Sequence, residues 1–227
     1  SRELMQSITS ADLSNDGFPF RCAREIEIGY AKVLCIRITY LGELGYELYI
    51  QSEQATHVYD TIVEAGKKFD LRHAGLKALS SLRLEKGYRD YGHDIDNTDD
   101  PLETGLGFFI NYKKPGGFIG KDAIELKKSQ RPLTRRLAQI LVKNPEPLLF
   151  HAEIVRRNGK SVGYVRAGSY GFSLGGAVGL FMIEAGEAVT ASYINKGKWE
   201  VEIAGEIYPA QVSLKPFYDP GMDKIKA

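Results

Sequence analysis

The residues best suited to chemistry lie in two short stretches, and the first is residues 40–49, Tyr-Leu-Gly-Glu-Leu-Gly-Tyr-Glu-Leu-Tyr. Two glycines frame an acidic turn there, and Glu47 follows on the outgoing strand between Tyr46 and Leu48. Neighbouring side chains of a strand point to opposite faces, so Glu47 faces away from both neighbours. A carboxylate so placed can accept two parallel hydrogen bonds from a ligand edge with adjacent N–H donors, such as the amino-pyrimidinone edge of a pterin. These residues alone favour the alternative, a solvated strand glutamate.

The second stretch, residues 81–94, gathers charged side chains, two tyrosines and a histidine around a helix end and the following loop. Such a cluster is either an internal salt-bridge network or a pocket wall, and spacing does not separate the two. Arg83 and Glu85 are interpreted as a buried ion pair tying the helix to the C-terminal barrel, or as ligand contacts. Tyr91 and His93 are candidates for a pocket wall.

Other motifs predict no further site. Residues 116–122 lack the spacing of a phosphate-binding P-loop, and the glycine-rich residues 171–179 do not match a dinucleotide fingerprint, so no flavin or nicotinamide site is expected. The four histidines show no metal-ligand spacing, and we expect no metal site. Cys22 and Cys35 form neither a CxxC pair nor a Cys/His cluster, which predicts reduced thiols in a reducing compartment.

Composition excludes some classes of partner. The 227 residues include 30 Lys and Arg against 29 Asp and Glu, a net charge of +1, so no global field favours nucleic acid or an anionic membrane. No apolar run approaches the ~20 residues of a membrane span. We therefore expect neither nucleic acid nor membrane as a partner. The chain opens on an amphipathic pattern without an initiator Met, and we expect it to be cut from a longer protein.

The elements that position these residues are read from hydrophobic periodicity. Helices are predicted at residues 1–9, 54–69, 74–86 and 119–128, with Gly87 as a stop signal. Strands are predicted at residues 24–28, 32–40, 46–50 and 106–112, with a hairpin turn at residues 41–45. From residue 134 onward only short strands are predicted, at residues 136–142, 153–157, 161–168, 177–183, 188–194, 198–203 and 208–214. The sequence thus predicts an α+β fold, with an α/β part in residues 1–130 and a β-sandwich or small antiparallel β-barrel in residues 131–227.

Several ordered motifs resemble the glycine-cleavage T-protein (aminomethyltransferase) superfamily. They are Tyr-Leu-Gly-Glu-Leu-Gly-Tyr-Glu-Leu at 40–48, Ser-Leu-Arg-Leu-Glu-Lys-Gly-Tyr-Arg at 81–89, Tyr-Gly-His-Asp at 91–94, Asp-Pro-Leu-Glu-Thr-Gly-Leu at 100–106 and Phe-Ile-Gly-Lys-Asp-Ala at 118–123. Residues 1–4, 12–14, 18–20, 165–172 and 214–220 are similar to the folate domains at the C-terminus of sarcosine and dimethylglycine dehydrogenases.

The resemblance implies that residues 1–130 are the C-terminal part of the folate-binding domain and residues 131–227 the C-terminal β-barrel. Glu47 occupies the position of the carboxylate that binds the pterin in this family. The resemblance therefore favours a pterin-binding role for Glu47 over a solvated strand glutamate. Tyr46, Tyr91 and His93 are the further candidates for folate binding. The implied reaction transfers an amine-derived one-carbon unit to N5 of tetrahydrofolate, giving 5,10-methylenetetrahydrofolate.

Two departures from the family pattern limit this expectation. Leu79 stands where the T-proteins place an Arg, so a polar contact is lost. The family's essential Asp belongs to a segment before the start of this chain, so we assign no catalytic residue and expect the isolated chain to be incomplete as an enzyme.

The resemblance also implies a domain context and a cellular location, and it leaves two other functions open. It implies a covalently preceding N-terminal domain, FAD only if that domain exists, and location in the bacterial cytoplasm or the mitochondrial matrix. A regulatory module like the pyruvate dehydrogenase phosphatase regulatory subunit, or a folate-dependent demethylase, remain open alternatives.

Overall fold

A computed structural model describes residues 1–227, which divide into two units. The first unit comprises Ser1–Leu79 and Gly221–Ala227, and the second comprises Ser80–Pro220. The division falls inside an α-helix. The boundary predicted at residue 130 concerns sequence domains rather than these units, and it stays a prediction.

Helices and strands follow each other along the chain, and the longest segment without an α-helix or strand runs from residue 86 to residue 120. The α-helices are α1 Arg2–Gln6, α2 Ala55–Gly66, α3 Leu76–Glu85, α4 Lys121–Ser129, α5 Ala191–Asn195 and α6 Asp223–Lys226. The strands are β1 Ala23–Ile28, β2 Ala31–Ile36, β3 Glu47–Tyr49, β4 Arg135–Val142, β5 Ile154–Arg157, β6 Lys160–Gly171, β7 Gly176–Glu184, β8 Trp199–Ile203 and β9 Glu206–Ser213. Short 3₁₀ turns occupy Ser52–Gln54, Lys67–Phe69 and Gly107–Phe109. None of the six α-helices has the length and hydrophobicity that a membrane span requires.

The first unit is built on an antiparallel sheet in the order β1-β2-β3. The alternation of β1 and β2 brings the pairs Ile26–Val33 and Ile28–Ala31 to one face, where they are buried. That face packs in a core with residues of α1, α2 and the segment between α1 and β1, namely Leu4, Met5, Leu13, Phe18 and Val58. The opposite face of the sheet carries Glu47.

The second unit contains a closed barrel of six antiparallel strands in the order β4-β7-β6-β5-β8-β9. The pairing of Ile140 with Val212 joins the first strand to the last. Large apolar side chains fill the interior, among them Ile140, Val155, Val165, Phe181, Ile183, Trp199 and Val201. A second core covers the outside of β4, β6 and β7 with Leu84, Ile95, Leu137, Leu141, Leu180 and Met182. As a result, β4 and β7 are buried on both faces. The predicted α+β class with a C-terminal barrel is confirmed.

The strand predicted at residues 106–112 is wrong, because the segment forms the 3₁₀ turn Gly107–Phe109. Its backbone hydrogen bonds are local: Leu106 N–H donates to the Pro101 carbonyl at 2.7 Å and Phe109 N–H to the Leu106 carbonyl at 3.0 Å. Gly105, with φ +75°, turns the chain just before it. The segment is apolar like a strand but has no neighbouring strand to pair with.

The strand predicted at residues 188–194 is also wrong, since residues 191–195 form α5. The Thr190 side chain accepts a hydrogen bond from the Tyr193 N–H at 3.2 Å and so caps the helix. Tyr193 and Ile194 are buried on the inner side of this single turn. A short apolar run is compatible with a buried helical turn as well as with a strand, and here the Thr190 cap favours the helix.

Candidate functional site

Glu47 opens β3, the edge strand of the first unit's sheet, and lies opposite Ile36 of β2. Residues two apart share a face, so Tyr49 lies beside Glu47, with Leu34 as its own cross-strand partner. The face is open: Leu34 is 40% exposed and Tyr49 55% exposed, while Glu47 is half-buried. The carboxylate is thus held by a strand on the side of the sheet away from the core.

The hydrogen bonding of Glu47 leaves acceptor capacity. The Tyr49 hydroxyl donates to Oε2 of Glu47 at 2.9 Å. This hydrogen bond, followed by the negative charge of Glu47, raises the pKa of Tyr49 above its usual value. An ionised carboxylate offers about four lone-pair positions, so one phenol does not saturate it. Oε1 in particular can accept from a ligand.

Tyr46 belongs to the other face of the same strand region. Its ring stacks on Phe18, with centroids 6.1 Å apart and planes at 25°. Its hydroxyl is buried and has no hydrogen-bond partner. A buried hydroxyl without a partner is uncommon in folded proteins, because desolvation is then uncompensated. Tyr46 therefore combines a packing role with one unsatisfied polar atom.

In the second unit, His93 is paired with a buried carboxylate. His93 Nδ1 lies 2.8 Å from Oδ1 of Asp94. Asp94 also accepts from both terminal nitrogens of Arg83, with Nη2 at 3.2 Å from Oδ1, and from the Asp90 N–H at 2.9 Å. A carboxylate surrounded by donors is acceptor-only, so Nδ1 of His93 carries the proton and donates. The His93 side chain is otherwise exposed, at 55%.

Tyr91 lies in the same loop and is 71% exposed. The loop is closed behind it by the Gly92 N–H, which donates to the Ile95 carbonyl at 2.8 Å. Gly92 has φ +91°, a conformation that favours glycine. The loop thus presents Tyr91 and His93 to solvent on a backbone fixed by Asp94.

The interpretation of Arg83 and Glu85 as an ion pair with each other is wrong. Arg83 pairs with Asp94, as described above, and both side chains are almost fully buried. Glu85 instead accepts hydrogen bonds from the N–H groups of Ser173 and Leu174, at 2.6 Å and 3.2 Å from Oε1. It therefore ties α3 to the turn between β6 and β7 without a cation. Both side chains therefore have their partners within the protein.

The four candidates fall into two pairs. Tyr46 and Glu47 are adjacent in the first unit and point to opposite faces, whereas Tyr91 and His93 share a loop of the second unit. Tyr49 and Asp94, the direct partners of Glu47 and His93, were not among the residues predicted from the sequence. The period-two spacing of Glu47 and Tyr49, and the Asp adjoining His93, were the available signals. No group of three or more His, Cys, Asp or Glu side chains could hold a metal ion.

Two family models match the chain. Residues 1–114 match the model described as GCVT N-terminal domain, and residues 135–219 match the model described as glycine cleavage T-protein C-terminal barrel domain. The chain belongs to the glycine-cleavage T-protein family. The prediction made from the ordered motifs is confirmed, and the barrel of the second unit is the family's C-terminal barrel domain.

Several curated relatives share this family segment. The chain is 41% identical over its whole length to a 4-methylaminobutanoate oxidase (formaldehyde-forming) of Paenarthrobacter nicotinovorans, of which it covers 27%. It is 36% identical over its whole length to the mitochondrial sarcosine dehydrogenase of Mus musculus, covering 25% of it. An aminomethyltransferase of Caldanaerobacter subterraneus is 35% identical over 99% of the chain, which covers 58% of that protein. The chain thus spans about a quarter of the oxidase and dehydrogenase relatives.

A solved structure shares the fold. The glycine cleavage system aminomethyltransferase T from Bartonella henselae superposes with a TM-score of 0.77 at 21% identity, over 96% of this chain and 57% of that one. This T-protein likeness concerns the fold of the family segment.

Proposed function

We propose that this chain is the tetrahydrofolate-binding portion of an aminomethyltransferase-like module, of the type found in sarcosine and dimethylglycine dehydrogenases. The observation that carries the proposal is Glu47, a strand-held carboxylate on the open face of a sheet with unfilled acceptor positions. The pyrimidinone edge of a pterin presents two adjacent N–H donors, and a carboxylate matches such a pair. The residues present therefore fit the ligand at this position.

The roles of the other candidates follow from their geometry. We assign Tyr46 a supporting role, in which its ring, stacked on Phe18 on the opposite face, holds the strand that carries Glu47. Tyr91 and His93 are proposed as further folate contacts, since both are exposed on one loop of the second unit, where His93 Nδ1 bonds to Asp94. When bound, tetrahydrofolate would supply N5 and N10, which together take up the one-carbon unit as a methylene bridge while the donor's amine leaves. The protein contributes binding, orientation and exclusion of water, which suit the union of a nucleophilic amine with an electrophilic carbon.

The amine donor of the whole protein belongs to the same proposal. Three relatives are named for sarcosine, dimethylglycine and 4-methylaminobutanoate, all N-methylated amino acids. We propose a donor of this class, a covalently linked N-terminal domain that oxidises it, and FAD as the cofactor of that domain. Location in the bacterial cytoplasm or the mitochondrial matrix accords with two free cysteines.

Calorimetric titration of the chain with tetrahydrofolate tests the binding proposal. We expect saturable binding that falls by about tenfold or more in Glu47→Gln, because a charge-assisted pair of hydrogen bonds is lost. Glu27→Gln is the matched control, since Glu27 is an exposed carboxylate on β1, at the other edge of the same sheet. Equal loss of affinity in both variants, or none in Glu47→Gln, would reject Glu47 as the pterin ligand.

A separate assay tests the catalytic part of the expectation. We expect the chain alone to bind tetrahydrofolate without converting it and an aminomethyl donor to methylenetetrahydrofolate at the rate of an intact enzyme. Turnover at that rate would show that this segment holds all the catalytic groups.

A second function is a regulatory or interaction module. The pyruvate dehydrogenase phosphatase regulatory subunit of Mus musculus is 33% identical over 94% of the chain, so this sequence pattern also occurs in a protein named for regulation. The absence of tetrahydrofolate binding at millimolar ligand would favour this function. A folate-dependent demethylase is a further alternative. It is suggested by the relative named as a formaldehyde-forming oxidase. Whether the parent sequence carries a flavin fingerprint ahead of this segment would discriminate the demethylase.

A further inference from the structure

A pocket at the rim of the barrel contains two arginines and no acidic residue. It lies between the segment that enters β4 and the segment that links β7 to α5, and its volume is about 460 Å³. We call it the rim pocket, defined by Arg131, Leu133, Arg136, Val189 and Thr190, with Leu102 on its wall. All of these residues belong to the second unit.

The guanidinium of Arg136 is poorly satisfied. The side chain is half-buried and makes no ion pair, and its Nε is buried without a hydrogen-bond partner. Its only hydrogen bond runs from Nη1 to the Val189 carbonyl at a long 3.4 Å. Withdrawing a cation from water without a counter-ion is unfavourable, so such a group has unused capacity for an anion.

Arg131 adds a second positive charge to the same space. It is exposed and makes no ion pair. Burial, followed by the charge of Arg131, lowers the pKa of Arg136, and no carboxylate offsets either effect. Two like charges that act on each other in a concave site attract a divalent anion more strongly than a monovalent one.

The neighbouring Arg135 provides an internal comparison. Its guanidinium contacts three carboxylates, those of Asp99 at 2.9 Å, Glu103 at 3.0 Å and Glu184 at 3.2 Å. The protein therefore neutralises one of two consecutive arginines completely and leaves the other without any acid. Because successive strand residues point to opposite sides, Arg136 is directed to the rim pocket instead of the acidic cluster.

The walls of the rim pocket are fixed and partly apolar. The Val189 N–H donates to the Leu133 carbonyl at 2.8 Å and joins the two segments that form it. Leu102, Leu133 and Val189 supply apolar surface. The Thr190 oxygen accepts from the Tyr193 N–H at 3.2 Å, which leaves its own proton available to donate. The pocket thus combines two guanidinium groups, one hydroxyl donor and a hydrophobic wall.

We propose that the rim pocket binds a small oxyanion with two negative charges, either a phosphate group or a dicarboxylate. Planar guanidinium groups match the oxygen pairs of both ligands. The volume leaves room for an organic group or water beside the anion, and the apolar wall favours an organic group. This site is independent of the proposed folate site, since it uses none of its residues.

Calorimetric titrations of the whole chain with inorganic phosphate and with malonate test the proposal, with sodium chloride at equal ionic strength as the reference. We expect saturable binding of at least one dianion and none of chloride. Arg131→Gln should weaken binding by about tenfold or more, the usual effect of losing a charge-assisted hydrogen bond. The tighter of the two probes identifies the ligand class as phosphate or carboxylate.

The choice of variants keeps the test decisive. Arg131 is exposed, so Arg131→Gln leaves the fold intact even if Arg136→Gln does not. Arg72→Gln is the matched control, because Arg72 is 82% exposed and outside the rim pocket. The proposal is overturned if neither phosphate nor malonate binds beyond chloride, or if Arg131→Gln and Arg72→Gln bind the anion equally well.

Discussion

The hydroxyl of Tyr49 donates to the carboxylate of Glu47 across one face of β3, at 2.9 Å. This contact occupies one acceptor position of the side chain to which we assign pterin binding. A ligand that needs both carboxylate oxygens must compete with Tyr49 or share Oε2 with it. In the free protein, the Tyr49 hydroxyl thus orients Glu47 and also occupies part of its hydrogen-bonding capacity.

Removal of this restraint gives the first prediction. Tyr49→Phe should raise the affinity for tetrahydrofolate by about two- to fivefold, since a net hydrogen bond of roughly 0.5–1 kcal/mol no longer has to be displaced. Calorimetry measures the change, and Tyr59→Phe, which removes another exposed hydroxyl of the first unit, is the control. Weaker binding in Tyr49→Phe would mean that the phenol contacts the ligand directly.

The ionisation of Tyr49 gives a second prediction. Its hydrogen bond to Glu47, and then the charge of Glu47, raise the pKa of Tyr49, so Glu47→Gln should lower the pH at which this phenol ionises. Because the pKa is raised in the folded state, the contact stabilises the fold below the ordinary tyrosine pKa and loses that effect as the pH rises through the folded value. NMR titration of the tyrosine rings follows each phenol separately.

Tyr208 is the internal reference for that titration. Its hydroxyl donates to Glu206 at 2.7 Å, and this hydrogen bond raises the pKa of Tyr208 in the same way. Glu47→Gln should leave it unchanged. A shift of both tyrosines, or of neither, would contradict the assignment of the Tyr49 effect to Glu47.

A third prediction concerns the buried pair of Arg83 and Asp94. Asp94→Asn keeps the shape of the side chain but leaves the Arg83 charge without a partner, and it weakens the contacts to His93 and the Asp90 N–H. We expect a loss of about 3–5 kcal/mol in the free energy of unfolding, measured by urea denaturation.

Asp70→Asn serves as the control for this loss. Asp70 pairs with Arg72, but both side chains are more than four-fifths exposed, with values of 81% and 82%. Exposed pairs contribute little because water and salt screen them, so no measurable change is expected. Similar losses in the two variants would show that burial does not set the strength of the Arg83–Asp94 pair.

The cysteines provide a fourth prediction. Cys35 is fully buried, and burial raises its pKa from the ordinary 9.0 to about 11. Thiolate is the reactive form, so a thiol reagent should modify the half-buried Cys22 in the native chain and reach Cys35 only after unfolding. Since the folded pKa is raised, the neutral thiol stabilises the fold below pH 9.0, and this effect is lost as the pH rises to about 11. Equal labelling rates for both thiols in the native chain would contradict the burial of Cys35.

The sequence predicted those parts of the structure that depend on local periodicity. The alternation around Glu47 was sufficient to place it on the face opposite Leu48, because strand geometry has a fixed period of two. Most barrel strands were likewise marked by short β-branched runs between glycine turns. The motif resemblance, rather than periodicity, led to the family and to the expected role of Glu47.

Features that depend on tertiary contacts were not predictable in this way. Arg83 and Glu85 are two residues apart on α3, and spacing could not show that each is satisfied by a different segment, one by Asp94 and the other by the Ser173 N–H. The run at residues 188–194 has strand composition, but the Thr190 cap makes it a helix. Single-sequence patterns report which residues are apolar and not which partners they meet.

The two-sided burial of β4 and β7 has a consequence for how the second unit opens. These strands are a common wall of two hydrophobic cores, one inside the barrel and one formed with Leu84, Ile95 and their neighbours. Exposing either core to water requires β4 and β7 to separate, and this disrupts the other core as well. The two cores should therefore unfold as a single cooperative unit. Amide protons of Ile140 and Phe181 should therefore exchange only through opening of the entire block, at one common free energy.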